Sequence, residues 1–424
     1  MAVRKNPKVK DADLARVGPG TPGGEWLRRY WLVISRAEDL KDIPLGLKIL
    51  GEELVLFRDD QGRLGLLGLH CAHRGSSLEY GDIECGGLRC PYHGWLYDVE
   101  GRCLEQPAEP KDSQFHLKIR HLWYPVKELG GLIFAYLGPN KTSPPPLPRY
   151  APLVRNGGKL FLEAPRTYDY NWFNFFENAP DVTHLSILHR HSGYGKQTWG
   201  NNFFDYHNIP PFEPVETEFG VKAVSRKPGP KPDTEYVHEL GAFLPGILDL
   251  GSVNSTGSEE PDNEHTIFLT PSDDDHFTLF SIDYYTGLDP DFFDKILARR
   301  YGPARKEAPK EYDRRKYKSF KGSIAQEDIV TQETQGMLGE RREQLGYADR
   351  GVIMLRRMVR EAIETTLKGG RPKGVFTDEE AGKTIEFGCF TGIRPKGPPE
   401  SRCQVSVGNR GSSKSAISSD TGKH

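Results

Sequence analysis

The stretch CAHRGSSLEYGDIECGGLRCPYH, residues 71–93, decides the fold of the first part of the chain. It opens with Cys71 and His73 and, after sixteen further residues, closes with Cys90 and His93. Each end supplies one thiolate and one imidazole, in the pattern C-x-H followed by C-x-x-H. Because Cys and His are the usual side-chain ligands of zinc and of iron–sulfur sites, the pattern predicts one metal centre held between two loops.

Two kinds of centre use two Cys and two His. In a structural zinc site the Cys pair and the His pair are usually separate along the sequence, whereas here each pair is mixed. A [2Fe–2S] cluster with two Cys on one iron and two His on the other matches the mixed pairing, and its neutral ligands raise the reduction potential to roughly −150 to +300 mV. The pattern, followed by Gly94-Trp95, favours the cluster over zinc or coincidence. Cys85 and Cys103 fit no ligand position, so we expect them to be buried thiols.

Residues 28–137 around this stretch are predicted to form short β-strands separated by turns. The apolar runs lie at 48–50, 54–57, 64–67 and 132–136, and DDQG at 59–62 and DVEG at 98–101 are typical of hairpin turns. A Pro-rich run follows at 138–150 and indicates a linker, since Pro interrupts both helices and strands. We therefore expect an N-terminal arm at 1–27, a first domain at 28–137 and a linker at 138–150.

The remainder of the chain is predicted to mix helices and strands in a second domain, 151–407. Residues 170–190 look helical and strongly aromatic, and strand-like runs follow at 236–240, 266–269 and 276–285. Near the end, apolar residues recur at helical spacing after Asp349, a good N-cap, and stop before Gly369-Gly370; they are Val352, Leu355, Val359, Ala362 and Thr366. From 408 to 424 the chain is rich in Ser, Gly and Lys, which predicts a disordered tail.

A second candidate metal site lies in NWFNFFENAPDVTHLSILH, residues 171–189. Asp181 and His184 are three residues apart, so they share one face of a helix. His184 and His189 are five apart, which places them about 140° apart around an ideal helix. Both can therefore reach one metal only if the helix is distorted or ends nearby.

Pro180 and the region of Gly193 supply a cause for such a distortion. Two histidines on an aromatic helix are, taken alone, more often core or surface residues than ligands. A Rieske-type cluster in a chain of this length needs an electron acceptor, however, and two His plus one carboxylate form the non-haem Fe(II) site of oxygenases. The first motif therefore favours a metal at the second.

With both motifs, the chain resembles the Rieske non-haem iron ring-hydroxylating oxygenases, in particular the oxygenase (alpha) component of the branch that contains phthalate dioxygenase and aryl O-demethylases. The resemblance runs from about Val17 to Leu367. It includes VGPGTP at 17–22, RRYW at 28–31 and PSDDDH at 271–276. It implies an α+β fold: an N-terminal Rieske β-sandwich domain, then a catalytic domain whose curved antiparallel sheet is wrapped by helices (helix-grip, START-like).

The resemblance also implies the cofactors and their ligands. One [2Fe–2S] cluster would bind to the Cys and His residues of the first motif, and one mononuclear Fe(II) to His184 and His189. The third iron ligand would be Asp328, in QEDIVTQETQG at 326–336, with Glu327 the alternative. Spacing alone equally allows a helix N-terminus decorated with acids. Asp328, Gln332 and Gln335 would share one helical face.

Two further residues take roles from the same resemblance. Asp181 would bridge His184 to His93 of the partner subunit, giving electrons a short bonded path, and Asn178 would lie near the open iron position. The intersubunit path implies a homo-oligomer, expected to be a homotrimer. NAD(P)H would act only through a separate reductase, with or without a ferredoxin.

The resemblance implies a terminal oxygenase that uses O₂ to oxidise a small aromatic substrate. We favour O-demethylation or monohydroxylation of a carboxylated or methoxylated arene, of lignin or pollutant origin. The first alternative is a ring cis-dihydroxylating dioxygenase of a phthalate-like acid. The second is a Rieske electron carrier without oxygenase activity, which needs only about 100 residues.

Composition excludes other classes of protein. The chain has 57 Lys plus Arg against 59 Asp plus Glu, so no basic excess points to nucleic acid. No run approaches the ~20 apolar residues of a membrane helix, and the first twenty residues resemble no signal peptide, so we expect a cytoplasmic protein. Arg356, Arg357 and Arg360 are expected on a solvated helix face or, alternatively, in a reductase-docking surface. Three other histidines are expected to be structural: His238, His265 and His276.

Overall fold

The computed structural model describes residues 8–191, 209, 211–229, 231–253, 263–286, 324–396 and 406–408. The region of Gly193 and residues 409–424 of the tail predicted at 408–424 lie outside these residues, whereas Gly408 is the last residue of a strand. The helices are α1 Asp11–Ala15, α2 Pro22–Leu27, α3 Ala151–Val154, α4 Trp172–Phe176, α5 Thr183–Leu188, α6 Ile324–Glu333 and α7 Arg350–Leu367.

Residues 31–136 form antiparallel strands, as the apolar runs predict. The strands are β1 Trp31–Arg36, β2 Leu45–Ile49, β3 Glu52–Arg58, β4 Leu64–Gly68, β5 Asp82–Glu84, β6 Gly87–Arg89, β7 Leu96–Tyr97, β8 Cys103–Glu105, β9 Trp123–Tyr124, β10 Val126–Leu129 and β11 Leu132–Tyr136. They pair in the orders β1-β11-β10, β2-β3-β4-β9 and β5-β6-β7-β8. The expected turns connect β3 to β4 and β7 to β8, with Gly62 and Gly101 at positive φ.

The later strands build one large sheet of nine strands and a separate small sheet of three. They are β12 Arg149–Tyr150, β13 Lys159–Leu162, β14 Arg166–Tyr168, β15 Phe212–Glu216, β16 Gly220–Pro228, β17 Thr234–Phe243, β18 Ile247–Val253, β19 Asn263–Pro271, β20 Phe277–Tyr285, β21 Thr384–Glu386, β22 Phe390–Pro395 and β23 Ser406–Gly408. The large sheet has the order β13-β20-β19-β18-β22-β17-β16-β15, with β14 also on β20. Its pairs are antiparallel except β18 with β22. The α+β class is therefore as predicted.

Each face of this sheet packs on a different layer. Leu240 and Ile267 belong to the core that also contains residues of α4 and α7. Phe268, on the opposite face, packs edge-on against Phe134 of β11, with ring centroids 6.1 Å apart. The Thr270 hydroxyl donates to the main-chain oxygen of Val33 at 2.6 Å. The first domain therefore rests directly on the sheet that carries the second.

The helix α7 agrees with its prediction from sequence. All five apolar-stripe residues are buried, and the helix follows Asp349 and ends before Gly369, whose φ is 76°. It contacts α2, β15 and β16. In the described part of the chain, every helix is too short or too polar to span a bilayer.

Candidate metal centres

Two loops with the same backbone geometry hold the first motif. The N–H of Gly75 donates to the carbonyl of Cys71 at 2.8 Å, and the N–H of Gly94 donates to that of Cys90 at 3.0 Å. Both glycines have positive φ, 76° and 73°, which a side chain would strain. Each loop thus turns back on itself directly after its cysteine.

The turns place thiols inside and imidazoles outside. Cys71 and Cys90 are buried, whereas His73 is exposed and His93 half-buried. The two imidazole centroids are 4.6 Å apart, and the ring of His73 stacks on Trp95 at 4.5 Å. Two sulfur donors below two imidazoles fit a [2Fe–2S] cluster whose His-bound iron faces the surface.

The other two cysteines of this region differ from each other. Cys103 is buried, as predicted. The prediction that Cys85 is buried was wrong: it is exposed, at the turn between β5 and β6, with a φ of 50°. Its place in a tight turn directs the side chain away from the core.

The second motif converges because α5 ends between its histidines. The α-helix runs to Leu188, and His189 begins a 3₁₀ turn. The ligand atoms of His184, His189 and Asp328 all lie within 4.8 Å of one another. The Oδ1 atom of Asp328 is 3.7 Å from Nε2 of His184 and 3.4 Å from Nε2 of His189. Donors bound to one ion at ~2.0–2.2 Å are ~3–3.5 Å apart, so the three groups fit a metal with little adjustment.

The electrostatics of this site also favour a cation. Burial by itself would lower the pKa of His189, but hydrogen bonds to Asp328 and Glu327 raise it to about 9. The two carboxylates thus attract positive charge to the imidazole. A metal ion competes with the proton for the same lone pair. Two imidazoles and one carboxylate are the donor set of non-haem Fe(II) oxygenases.

The two adjacent acids of α6 take different positions. Asp328 faces both histidines, whereas Oε2 of Glu327 lies 2.7 Å from Nδ1 of His189, on the other side of the ring. Asn178 donates to Oδ1 of Asp328 at 3.3 Å. Of the two candidates for the third ligand, the geometry favours Asp328.

Side chains of α4 and the residues before it hold α6 in place. Tyr170 donates to Oε1 of Gln332 at 2.8 Å, and Asn174 donates to the carbonyls of Gln332 and Gly336 at 3.0 Å each. Gln332 is buried, but Gln335 is exposed and accepts from Arg341. The prediction that Gln335 shares a helical face with Asp328 and Gln332 was wrong, because α6 ends at Glu333 and Gln335 lies in the following turn.

A buried ion cluster that the sequence analysis missed braces the same region. Glu177, at the end of α4, pairs with Arg341 and, at 2.7 Å, with Arg356. Glu343 accepts from Arg356 at 2.6 Å. The expectation that Arg356 lies on a solvated face was wrong, because these acids hold it inside. Its position four residues after Val352 and three before Val359, on the face of the apolar stripe, was the available signal.

The neighbouring arginines of α7 and the remaining histidines have ordinary partners. Arg357 pairs with Glu216, and Arg360 with Asp11, at the surface. The imidazole partners are Thr391 for His238, Asp283 for His265 and Asp273 for His276, at 2.9, 2.8 and 2.8 Å.

Asp181 lies beside the candidate iron site and remains accessible. Its Oδ2 atom is 4.0 Å from Nδ1 of His184, and its side chain is 32% exposed. Its Oδ1 atom accepts from the N–H of Thr183 at 3.2 Å, and its main-chain oxygen bonds to Nδ1 of His184. The carboxylate can therefore receive a second partner from outside.

Known proteins resemble this chain along most of its length. Residues 30–125 match the Rieske [2Fe-2S] domain. The chain is 33% identical over 406 residues to phenoxybenzoate dioxygenase subunit alpha of Ectopseudomonas oleovorans, covering 91% of this chain and 92% of that one. It is 31% identical over 385 residues to the 5,5'-dehydrodivanillate O-demethylase oxygenase subunit of a Sphingobium species, covering 88% and 84%.

A solved structure shares the fold. Dicamba monooxygenase bound to dicamba superposes with a TM-score of 0.61 at 20% identity, over 81% of this chain and 99% of that one. Oxygenase subunits of the Rieske type carry a [2Fe–2S] cluster and a mononuclear iron, the two centres predicted from the motifs. The chain belongs to the Rieske non-haem iron oxygenases, as an oxygenase subunit of that family.

Proposed function

We propose that this chain is the terminal oxygenase of a multicomponent system that oxidises an aromatic substrate with O₂ and electrons from a NAD(P)H-dependent reductase. The observation that carries the proposal is the presence of both donor sets in one chain. Cys71, His73, Cys90 and His93 would hold the cluster, which supplies single electrons. His184, His189 and Asp328 would hold Fe(II), which supplies O₂ activation. An electron carrier would need only the first set.

The protein residues around the iron have distinct tasks. The two imidazoles and the Asp328 carboxylate would hold the iron and so provide the donor set of an O₂-activating site. The amide of Asn178 donates to Oδ1 of Asp328 and so orients this carboxylate. Asp181 orients His184 from the other side and would join it to the cluster of a partner subunit.

In the proposed homotrimer the cluster of one subunit faces the iron of the next, and exposed apolar side chains are available for contacts between subunits. Beside the cluster loops, Tyr92 is 58% exposed and Leu117 is 70% exposed. Near Asp181, Ile187 is exposed, and Tyr347 is 79% exposed. Contact between these two regions of neighbouring subunits would bring the partner subunit's His93 to Asp181.

The proposed reaction type rests on the names of the two relatives. One is named an O-demethylase and the other a dioxygenase, and each name includes an aromatic carboxylate. We favour O-demethylation or monohydroxylation of a carboxylated or methoxylated arene. Ring cis-dihydroxylation is the second candidate, favoured by the name of the phenoxybenzoate relative.

A single turnover tests the proposal. The iron-replete protein is reduced chemically, mixed with O₂ and a panel of methoxylated and carboxylated arenes, and analysed for product mass and formaldehyde. Formaldehyde with a demethylated phenol supports O-demethylation. A product with two new hydroxyls and no formaldehyde would instead identify a ring dioxygenase. Cluster reoxidation without any oxidised arene across the panel would contradict an aromatic substrate.

A further inference from the structure

We propose that Glu327 is a positioning residue for the mononuclear iron: its carboxylate fixes the ring of His189 so that Nε2 points at the metal position. The inference rests on the proposed iron site and deepens it. It assigns to Glu327 a contribution to Fe(II) affinity that acts through His189, without contact to the metal.

The two nitrogens of His189 face two different carboxylates. Nδ1 lies 2.7 Å from Oε2 of Glu327, and Nε2 lies 3.4 Å from Oδ1 of Asp328. A neutral imidazole carries its proton on one nitrogen and its lone pair on the other. When Nδ1–H donates to Glu327, the lone pair is on Nε2, which is the nitrogen that faces Asp328 and His184.

The helix α6 makes this division possible. Glu327 and Asp328 are consecutive, so their side chains leave the helix about 100° apart. Glu327 reaches Nδ1 of His189, whereas Asp328 lies on the side of Nε2. The helix α6 thus supplies one candidate ligand, Asp328, and also the residue that orients another, His189.

The Glu327 carboxylate is buried together with the imidazole of His189, its ion-pair partner. Glu327 is 1% exposed and His189 is 0% exposed. A buried carboxylate is costly unless it is paired. Among the described residues, the ion pair of Glu327 is the one with His189, and no Lys or Arg approaches its carboxylate.

A carboxylate behind a ligating imidazole has two effects on the metal. It holds the ring in one orientation, and it makes the metal-facing nitrogen a stronger donor. Loss of such a partner typically costs about 10–100-fold in metal affinity or activity. We therefore expect the effect to be measurable as Fe(II) binding, independently of turnover.

The experiment compares Glu327→Gln and Glu327→Ala in the full-length protein with its cluster intact. Fe(II) affinity is measured by chelator competition, and Co(II) absorption reports the coordination geometry. We expect Glu327→Ala to weaken Fe(II) about 10–100-fold and to change the Co(II) spectrum. Glu327→Gln should weaken it less, because its amide oxygen still accepts from Nδ1–H. Glu333→Gln, at the exposed end of α6, is the matched control and should bind as the wild type does.

The outcomes separate this inference from the site beneath it. If both Glu327 variants keep the wild-type Fe(II) affinity and Co(II) spectrum, the contact between Glu327 and His189 does not position the ligand, and the inference is overturned. Loss of iron in Glu327→Gln as complete as in Asp328→Asn would make Glu327 a ligand and also overturn it. If Asp328→Asn keeps its mononuclear iron, the proposed site itself fails. Should Glu327→Ala not fold, as judged from its cluster spectrum, the nearly isosteric Gln variant decides.

Discussion

Asp249 is a buried acid on the opposite face of the large sheet from the iron site, and it gives the protein a pH-dependent stability. Its Oδ1 atom accepts from the N–H of Gly251 at 3.0 Å. Burial raises its pKa from 3.8 to about 7. The folded state therefore holds this proton more tightly than the unfolded state. The contribution is fully present below the unfolded pKa and is lost as pH rises through about 7.

We expect Asp249→Asn to flatten that dependence, because Asn does not ionise. The melting temperature of both proteins is measured between pH 5 and 8, and the slope of melting temperature against pH is compared. The absolute stability also changes, since an NH₂ group replaces Oδ2, which accepts from the N–H of Cys389 at 3.4 Å. Asp42→Asn, at an exposed position, is the control and should keep the wild-type slope. Equal slopes in Asp249→Asn and wild type would refute the assignment.

Single residues could be named from the sequence where they belong to a motif, but not where only contacts decide. Cys71 and Cys90 could be paired with their histidines because spacing alone specifies the loops. Asp328 was preferred to Glu327 only through the family resemblance, since adjacent acids differ only in what each one touches. Arg356 was assigned to the surface by its charge, whereas two acids distant in sequence bury it.

At the scale of elements, the N-terminus of α7 packs directly against the segment that carries the proposed iron ligands. A Cβ atom on Gly351 would lie 2.3 Å from the main-chain oxygen of Pro180. Alanine is the better helix former by ~1 kcal/mol, but such an overlap costs ~1–3 kcal/mol. Since Pro180 is followed by Asp181 and His184, α7 must shift or the ligand segment must.

We therefore expect Gly351→Ala to lower both the melting temperature and the affinity for the mononuclear iron, while the cluster spectrum stays unchanged. Ile353→Ala, an exposed position on the same helix, is the control and should leave iron binding intact. Wild-type iron affinity in Gly351→Ala would mean that α7 does not set the position of the ligand segment.

The elements themselves were predicted from sequence to different extents. The apolar stripe of α7 was found completely because a long amphipathic helix repeats its signal every turn. The helix expected over 170–190 is instead α4, a turn and α5, ending in a 3₁₀ turn. The sequence required a distortion between His184 and His189, but its type and position depend on packing against α6 and α7.

For the whole molecule, the domain boundaries stay a prediction. In the described residues, the expected arm and linker are hydrogen-bonded to the domains. The main-chain oxygen of Pro145, in the expected linker, accepts from Trp31 at 2.8 Å. Ala15, in the expected arm, accepts from Trp172 at 3.1 Å. Local composition marks such segments as separate, but long-range hydrogen bonds join them to the domains.

The proposed assembly makes a prediction about mixed oligomers. Chains with Cys71→Ser would lack the cluster, and chains with Asp328→Asn would lack the mononuclear iron. If electrons cross between subunits, oligomers assembled from both chains should recover part of the turnover that neither shows alone. The amount of product is measured for oligomers from cells that co-express both variants, and it is compared with that of each variant expressed alone. No recovery in verified mixed oligomers would contradict the intersubunit path.

In the proposed mechanism the cluster supplies electrons to the iron through Asp181. The most direct measurement is a single turnover of reduced Asp181→Asn and wild-type protein, with iron and labile sulfide determined in both. We predict that the variant keeps both metal centres, at about three irons per two sulfides, yet forms almost no product coupled to cluster reoxidation. Normal coupled turnover in Asp181→Asn would show that electrons reach the iron without the Asp181 carboxylate.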